Sequence, residues 1–150
     1  MQVAVDASVL VGLLNPRDVW HAQAEAILKA LLGAGLTPVY FDCVVMEAIS
    51  ATARRLREKG RAAEVAGLID RLNDRVPHEN LTWILPDIPV FYHPALEIMR
   101  ASSGELNAND ALIALACRER EIPAIASFDS DFDRVGWLKR IATPDDLPGA

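Results

Sequence analysis

Short apolar runs alternate with longer amphipathic segments along the chain, as they do when strands and helices alternate. The apolar runs predict five strands, at about residues 3–5, 37–41, 81–85, 124–127 and 140–142. Helical periodicity between them predicts six helices, at about residues 8–14, 19–32, 42–59, 61–75, 94–101 and 107–120. An alternation of this kind is typical of an α/β fold whose parallel sheet is built from βαβ units.

The composition is that of a packed globular protein with an acidic balance. The 150 residues match the usual length of one domain and 51% of them are apolar, so we expect one domain over residues 1–150. A net charge of −6 argues against broad non-specific nucleic-acid binding, but it allows a local basic track with bound cations. No apolar run could span a bilayer and the amino terminus lacks a signal-like segment, so we expect a cytoplasmic protein.

Four acidic residues stand where strands end and the following helices begin. Asp6 and Asp129 directly follow predicted strands, Asp110 opens a predicted helix, and Glu47 lies just over one turn into another helix. In open parallel sheets, functional groups gather outside the carboxyl ends of the strands. Carboxylates gathered there repel one another, and a bound divalent metal ion offsets that repulsion. The sequence therefore predicts a metal-dependent nuclease.

Each acid also has a structural explanation when it is taken alone. Asp6 and Asp110 could simply cap their helices, a common role that we weigh equally with a site role. Asp129 and Asp131 could form a side-chain turn. Glu47 fits such an account less well, because it lies beyond the first helical turn in an apolar segment. The structural explanation must be invoked four times, whereas one shared metal site accounts for all four acids.

Other chemistries find little support in the sequence. Asp129, Asp131 and Asp133 match the start of an EF-hand loop, but Arg stands where that loop needs its Gly and its closing Glu. The three histidines lack zinc spacing, and the chain has no phosphate loop and no nucleophile elbow. The two cysteines form no CxxC pair, so we expect both to be small buried apolar residues. The three tryptophans are far apart, which favours core or interface packing over a row of base-stacking rings.

The segments around the four acids resemble, in the same order, the four motifs of the PIN domain. They read VDASVL from Val5, an isolated Glu47 on an early helix, NDALIA from Asn109 and SFDSDF from Ser127. The resemblance covers nearly the whole chain. Within the family, the chain is similar to the VapC toxins of prokaryotic toxin–antitoxin pairs. It implies a PIN-like three-layer α/β/α fold with a mainly parallel central sheet.

The resemblance also implies a function and a set of site residues. Members of this family bind Mg²⁺ or Mn²⁺ and cut RNA, so the implied activity is that of an endoribonuclease. The implied catalytic and metal-binding acids are Asp6, Glu47, Asp110 and Asp129, with Asp131 as an additional ligand. Ser8 and Ser127 match the supporting hydroxyls of the family. One departure is residues 118–121, where many relatives turn with a glycine.

Basic residues follow Glu47 along its predicted helix and form a candidate track for the RNA backbone. Arg54 lies seven residues after Glu47, so it falls on nearly the same helix face, about 10 Å along the axis. Arg57, Lys59 and Arg61 would extend this track. A solvated helix surface with ion pairs between Glu and Lys explains any one of these residues slightly better.

Two other functions and two kinds of partner stay open at this point. A catalytically idle PIN-like domain could serve as a protein-binding module, and clustered carboxylates also serve metal-dependent phosphatases that act on small phosphoesters. The phosphatase usually carries a DxD motif after its first strand, whereas residues 6–8 read Asp-Ala-Ser. For partners, the resemblance implies a homodimer neutralised by an antitoxin whose Arg or Lys occupies the acidic edge.

Overall fold

The secondary structure follows the alternation expected from the sequence, and the computed structural model describes residues 1–147. The first half contains β1 (Gln2–Val5), α1 (Ala7–Leu14), α2 (His21–Gly33), β2 (Thr37–Phe41) and α3 (Asp42–Glu58). The second half contains α4 (Val65–Arg75), β3 (Leu81–Thr82), α5 (Ile88–Ala101), α6 (Ala108–Glu119), β4 (Ala124–Ala126) and β5 (Lys139–Ile141). Short 3₁₀ turns lie between several of these elements.

All five strands are parallel and form one sheet in the order β3-β2-β1-β4-β5. Strand β1 lies at the centre, where Val3 pairs with Pro38 of β2 and Ala4 pairs with Ile125 of β4. Its last three residues are at most 1% exposed, as expected for a parallel strand that is covered on both faces. The predicted α/β class is confirmed, and the sheet is parallel throughout.

The helices form two packed groups that complete a three-layer α/β/α arrangement. Helices α1 to α4 contact one another, and α5 packs against α6. Helix α1 is buried at seven of its eight positions and packs against α2, α3 and α4, which explains its almost wholly apolar sequence. Gly12 brings α1 close to α2, since a Cβ added there would lie 2.9 Å from the Cβ of Ala24.

Helix α5 begins earlier than its sequence predicts. We expected a start at Pro94, but the helix begins at Ile88 and passes through Pro94. Proline lacks the N–H that would bond the carbonyl of Val90, yet Val90 is 74% exposed, so water can satisfy that carbonyl. The buried Phe91 and Ala95 lie on one face across the proline. Their packing therefore outweighs the lost hydrogen bond.

Strand β3 ends after only two residues, whereas the sequence predicts a strand over residues 81–85. The N–H groups of Ile84 and Leu85 donate to the two carboxylate oxygens of Asp42 at 3.1 Å each, instead of to a neighbouring strand. Asp42 is 2% exposed and also accepts a hydrogen bond from the N–H of Cys43. This buried carboxylate fixes the edge of the sheet to the start of α3.

The predictions for cysteine and tryptophan hold only in part. Cys117 is buried as expected but Cys43 is half-buried, and burial raises the pKa of each thiol to about 12. For the tryptophans, core packing is wrong because they are 39–51% exposed, and interface packing stays a prediction. Two histidines lie at the surface, but His21 is half-buried and donates to the carbonyl of Gly12.

Within residues 1–147, none of the helices combines the length and the apolar character that crossing a membrane requires.

Candidate active site

Asp6 ends β1 and serves both as the cap of α1 and as a fixed carboxylate at the edge of the sheet. Its Oδ2 accepts hydrogen bonds from the N–H of Ser8 at 3.2 Å and from the Ser8 hydroxyl at 2.5 Å. The hydroxyl of Ser127, which follows β4, donates to the same oxygen at 2.8 Å. Two hydroxyls from different elements therefore orient this carboxylate, as the sequence predicts for Ser8 and Ser127.

Asp110 also combines a capping role with a place in the cluster. It belongs to a reciprocal capping box, in which its N–H donates to Oδ1 of Asn107 at 3.0 Å. The N–H of Asn107 donates in return to Oδ2 of Asp110 at 3.3 Å. Only 8% of Asp110 is exposed. The first turn of α6 thus holds this carboxylate rigidly at the carboxyl edge of the sheet.

Glu47 and Asp129 complete the set of four acids from two further segments. Glu47 is an exposed residue of α3 whose Oε2 accepts a hydrogen bond from the side-chain amide of Asn109 at 3.4 Å. Oδ1 of Asp129 accepts from the N–H of Asp131 at 2.9 Å, which is the side-chain turn foreseen as an alternative. The N–H of Asp129 in turn donates to the Ser127 hydroxyl at 3.0 Å.

The four acids line one open cavity of about 540 Å³. The cavity lies at the carboxyl end of β1, where the strand order continues to β2 on one side and to β4 on the other. Binding crevices of open parallel sheets usually lie at such a point. Asp6, Glu47, Asp110 and Asp129 all contribute to its wall, as the sequence predicts, whereas Asp131 does not. The sequence thus correctly predicts the convergence of the four acids.

The carboxylates disturb one another's protonation. The pKa of Asp110 is raised to about 6, mainly by burial. The hydrogen bond from the N–H of Asn107 opposes this rise, and the negative charges of Asp6, Asp129 and Glu47 add to it. The pKa of Glu47 is also raised, first by partial burial of its carboxyl and then by the charge of Asp6. The cavity thus has an excess of negative charge that a cation would relieve.

The free oxygens of the four acids fit a hydrated divalent ion. Each carboxylate uses one oxygen for a hydrogen bond inside the protein, and within residues 1–147 no protein group donates to the other oxygen. In the same part of the chain, no three acidic, histidine or cysteine side chains are close enough to enclose a metal ion. A hydrated divalent ion that keeps several waters needs only one or two protein carboxylates, so this set of oxygens is compatible with such an ion.

The basic residues that border the cavity agree only in part with those expected. Lys59 and Arg61, which were expected to extend the track, line the cavity, and Arg17 and Arg55 line it as well. Arg54 and Arg57 lie outside its lining, and their contact with RNA stays a prediction. Each residue turns a helix by about 100°, so the cavity-facing side of α3 is centred on Ala48, Ala51 and Arg55, with Glu47 at its border. Because the prediction took Glu47 as the centre of that face, it named Arg54 where the cavity is lined by Arg55.

Two further features of the site were not foreseen. Asn109 holds Glu47, although its place directly before Asp110 was the only signal in the sequence. The rings of Trp20 and Phe128 stack at the cavity wall, with centroids 5.0 Å apart and planes inclined by 24°. Trp20 precedes α2 and Phe128 follows β4, so no sequence spacing connects them.

An all-parallel sheet with an acidic cavity at its carboxyl edge defines the class as an α/β protein with a carboxylate site. The family model of the PIN domain matches residues 3–138, and the chain belongs to this family. Its fold is similar to the crystal structure of VapC20 from Mycobacterium tuberculosis, a sarcin–ricin loop cleaving toxin. That similarity has a TM-score of 0.67 and 21% sequence identity, and it covers 90% of this chain and 95% of VapC20. No curated protein shows significant sequence similarity to the chain.

Proposed function

We propose that this chain is a divalent-metal-dependent endoribonuclease, a single nuclease domain over residues 1–150, that acts in the cytoplasm as the toxin of a toxin–antitoxin pair. The observation that carries this proposal is the meeting of four carboxylates from four separate segments around one cavity. The raised pKa of Asp110 and of Glu47 adds support, because perturbed acids in a cleft mark functional sites.

The residues of the cavity would have two roles in hydrolysis, which are metal binding and proton transfer. Asp6 and Asp110 present free Oδ1 atoms from rigid helix starts, so they would hold Mg²⁺ or Mn²⁺. Asp129 would complete the site directly or through water. Glu47 lies at the border with a raised pKa, which suits it to accept a proton from the attacking water. The ion, when bound, supplies Lewis acidity at the scissile phosphate.

RNA is the substrate that the cavity and the fold support best. Arg55, Lys59 and Arg61 lie along one wall of the cavity and would contact phosphates on either side of the cleaved bond. VapC20, which has a similar fold, carries the description of a toxin that cleaves the sarcin–ricin loop. Sequence-selective RNA recognition targets looped or single-stranded segments, so we expect cleavage in such segments.

The test is cleavage of single-stranded and hairpin oligoribonucleotides by the purified protein. We expect cleavage with Mg²⁺ or Mn²⁺, none with EDTA, and products with 5′-phosphate and 3′-hydroxyl ends. Asp6→Asn and Asp110→Asn keep an oxygen for capping but remove a charge, so activity should fall by orders of magnitude while the fold survives. The matched control is Asp74→Asn, which changes an exposed acid on α4 that does not line the cavity.

Three outcomes would contradict the proposal. The first is cleavage that persists after rigorous chelation, and the second is equal activity in the Asp110→Asn protein purified in the same way. The third is hydrolysis of small phosphoesters without any cleavage of RNA, which would replace the nuclease with a phosphatase. Loss of folding in both site variants would instead assign the two acids to capping alone.

The proposed partners are a second copy of this chain and an antitoxin. Helix α5 exposes Val90, Tyr92 and Leu96 by 74%, 56% and 40%, and exposed apolar side chains of this size favour association with another protein surface. A homodimer would bury such a surface. An antitoxin would inhibit by placing an Arg or Lys among the four carboxylates, where its charge competes directly with the metal ion.

A further inference from the structure

The pair formed by Trp20 and Phe128 is an exposed aromatic surface beside the four acids. Phe128 stacks on one side of the Trp20 ring, yet Trp20 remains 48% exposed, so the contact with Phe128 leaves much of this residue open to solvent. Large aromatic side chains are usually buried against other protein groups when they only support packing. An open indole held by a second ring can instead accept a third planar group.

The chain fixes this pair firmly to the acidic site. Phe128 stands between Ser127 and Asp129, and its N–H donates to the hydroxyl of Ser8 at 3.0 Å. That hydroxyl also bonds the carboxylate of Asp6. The same hydroxyl therefore holds the backbone of Phe128 and orients the carboxylate of Asp6.

Trp20 is positioned by separate contacts on its own side. Its backbone N–H donates to Oδ1 of Asp18 at 3.0 Å, and its backbone carbonyl accepts from the N–H of Ala24 at 2.8 Å. Asp18 in turn lies 3.5 Å from the guanidinium of Arg55, which also borders the cavity. Trp20 thus lines the same cavity as the four acids and Arg55.

We propose that Trp20 and Phe128 form a stacking platform for one unpaired base next to the phosphodiester bond that is cut. This inference rests on the proposed ribonuclease function and names the residues that select the substrate. A strand whose phosphate lies at the acids carries its neighbouring base within reach of the cavity wall. Basic side chains on that wall suit the phosphates, and an open ring suits the flat face of a base. The platform favours a base that is already out of a helix, because only such a base offers a free face.

The test combines protein variants with RNA that lacks single bases. The probe is a hairpin oligoribonucleotide that the wild-type protein cleaves, prepared as a series with one abasic ribose at each position around the cleaved bond. Stacking on an aromatic ring contributes to ground-state binding, so Trp20→Ala should raise KM by about 5- to 150-fold and change kcat by less than about threefold. Trp20→Phe keeps a ring and should retain most of the affinity.

The abasic series locates the stacked base. For the wild-type protein, one abasic position should lower kcat/KM by a similar factor, and Trp20→Ala should add little further loss at that position alone. Binding of the intact hairpin in EDTA should quench tryptophan fluorescence, and Trp20→Phe should abolish most of that quenching. The matched control is Trp83→Ala, which removes an equally exposed tryptophan that does not line the cavity and should leave both readouts unchanged.

The outcomes separate this inference from the proposed function. If the wild-type protein cleaves RNA but Trp20→Ala keeps the wild-type KM, or if no abasic position couples to Trp20, the platform is wrong and the nuclease stands. Equal losses in Trp20→Ala and Trp83→Ala would also overturn it. If Trp20→Ala weakens only the binding of a protein partner, the occupant is a protein and not a base. Failure of the wild-type protein to bind or cleave any RNA would overturn the function and the platform together.

Discussion

Asp110 carries a negative charge that the folded protein tolerates poorly in the absence of metal. Its pKa rises from 3.8 to about 6, mainly through burial and then through the neighbouring acids. The folded state therefore holds the proton more tightly than the unfolded state. Stability is unaffected below about pH 4, falls as pH rises from about 4 to 6, and carries the full penalty above about pH 6.

Asp110→Asn should remove this penalty in metal-free protein. At pH 7.5 in EDTA, we expect the free energy of unfolding to rise by about 1–2 kcal/mol. This is less than the roughly 3 kcal/mol of an unscreened two-unit shift, because water in the open cavity screens the charge. At pH 4 the variant and the wild type should be equally stable. Urea denaturation at the two pH values measures this difference, and a variant that is less stable at pH 7.5 would show that the carboxylate is needed for the capping box.

Ser127 should matter for activity although it need not touch the substrate. It is fully buried, and its hydroxyl donates to Asp6 and accepts from the N–H of Asp129. Ser127→Ala should lower kcat/KM by about 10- to 100-fold, as loss of an orienting partner does at metal sites, and destabilise the protein by about 1–3 kcal/mol. Ser127→Thr keeps the hydroxyl and should recover most of the activity. Ser50→Ala, at an exposed serine of α3, should have no effect.

At the residue scale, the sequence predicted which acids meet but not how each one is used. Capping and site roles were weighed as alternatives for Asp6 and Asp110, and the structure shows that each caps its helix while its other oxygen stays free. A carboxylate has two oxygens, so the two roles are compatible. The position of Asn109 against Glu47 depends on the meeting of α3 and α6, which no local sequence pattern encodes.

At the scale of elements, the contact between α1 and α2 depends on the missing side chain of Gly12. A Cβ at this position would lie 2.9 Å from the Cβ of Ala24 and 3.3 Å from the carbonyl oxygen of Trp20. The first neighbour belongs to a short side chain and the second to the backbone. Neither can move aside, so the helices would have to separate. We expect Gly12→Ala to lower the free energy of unfolding by about 1–3 kcal/mol.

Gly67→Ala is the matched control, because Gly67 also lies in a helix. There the nearest atom to an added Cβ is Nη1 of Arg71 at 3.5 Å, the end of a flexible side chain. Alanine should therefore stabilise α4 by up to about 1 kcal/mol. Thermal or urea unfolding of both variants measures the contrast, and an equal effect of the two substitutions would rule out close helix packing at Gly12.

The errors in predicting elements have one common cause, which is that tertiary contacts decided the boundaries. Pro94 reads locally as a helix start, but the face formed by Phe91 and Ala95 carries α5 through it. Residues 81–85 read as a strand, but Asp42 takes the N–H groups that its second half would need. The regular elements near the centre of the sheet, such as Thr37–Phe41, were predicted correctly because burial and local pattern agree there.

At the scale of the whole molecule, the proposed toxin should act on growth through its acidic site. Expression of this chain alone should slow growth, and co-expression of a small neighbouring antitoxin gene should relieve that effect. Asp110→Asn should abolish the effect at equal protein level, whereas Asp74→Asn should keep it. Growth curves with quantified protein measure this, and normal growth with abundant folded wild-type protein would contradict the toxin assignment without removing the nuclease chemistry.

The central position of β1 sets the time at which a newly made chain can become active. The first strand pairs on one side with β4, so residues 2–5 wait for residues 124–126 before the middle of the sheet can close. Asp6, which follows β1, and Asp129, which follows β4, meet only in that step. A ribosome would therefore have to release most of the polypeptide before any RNA could be cut.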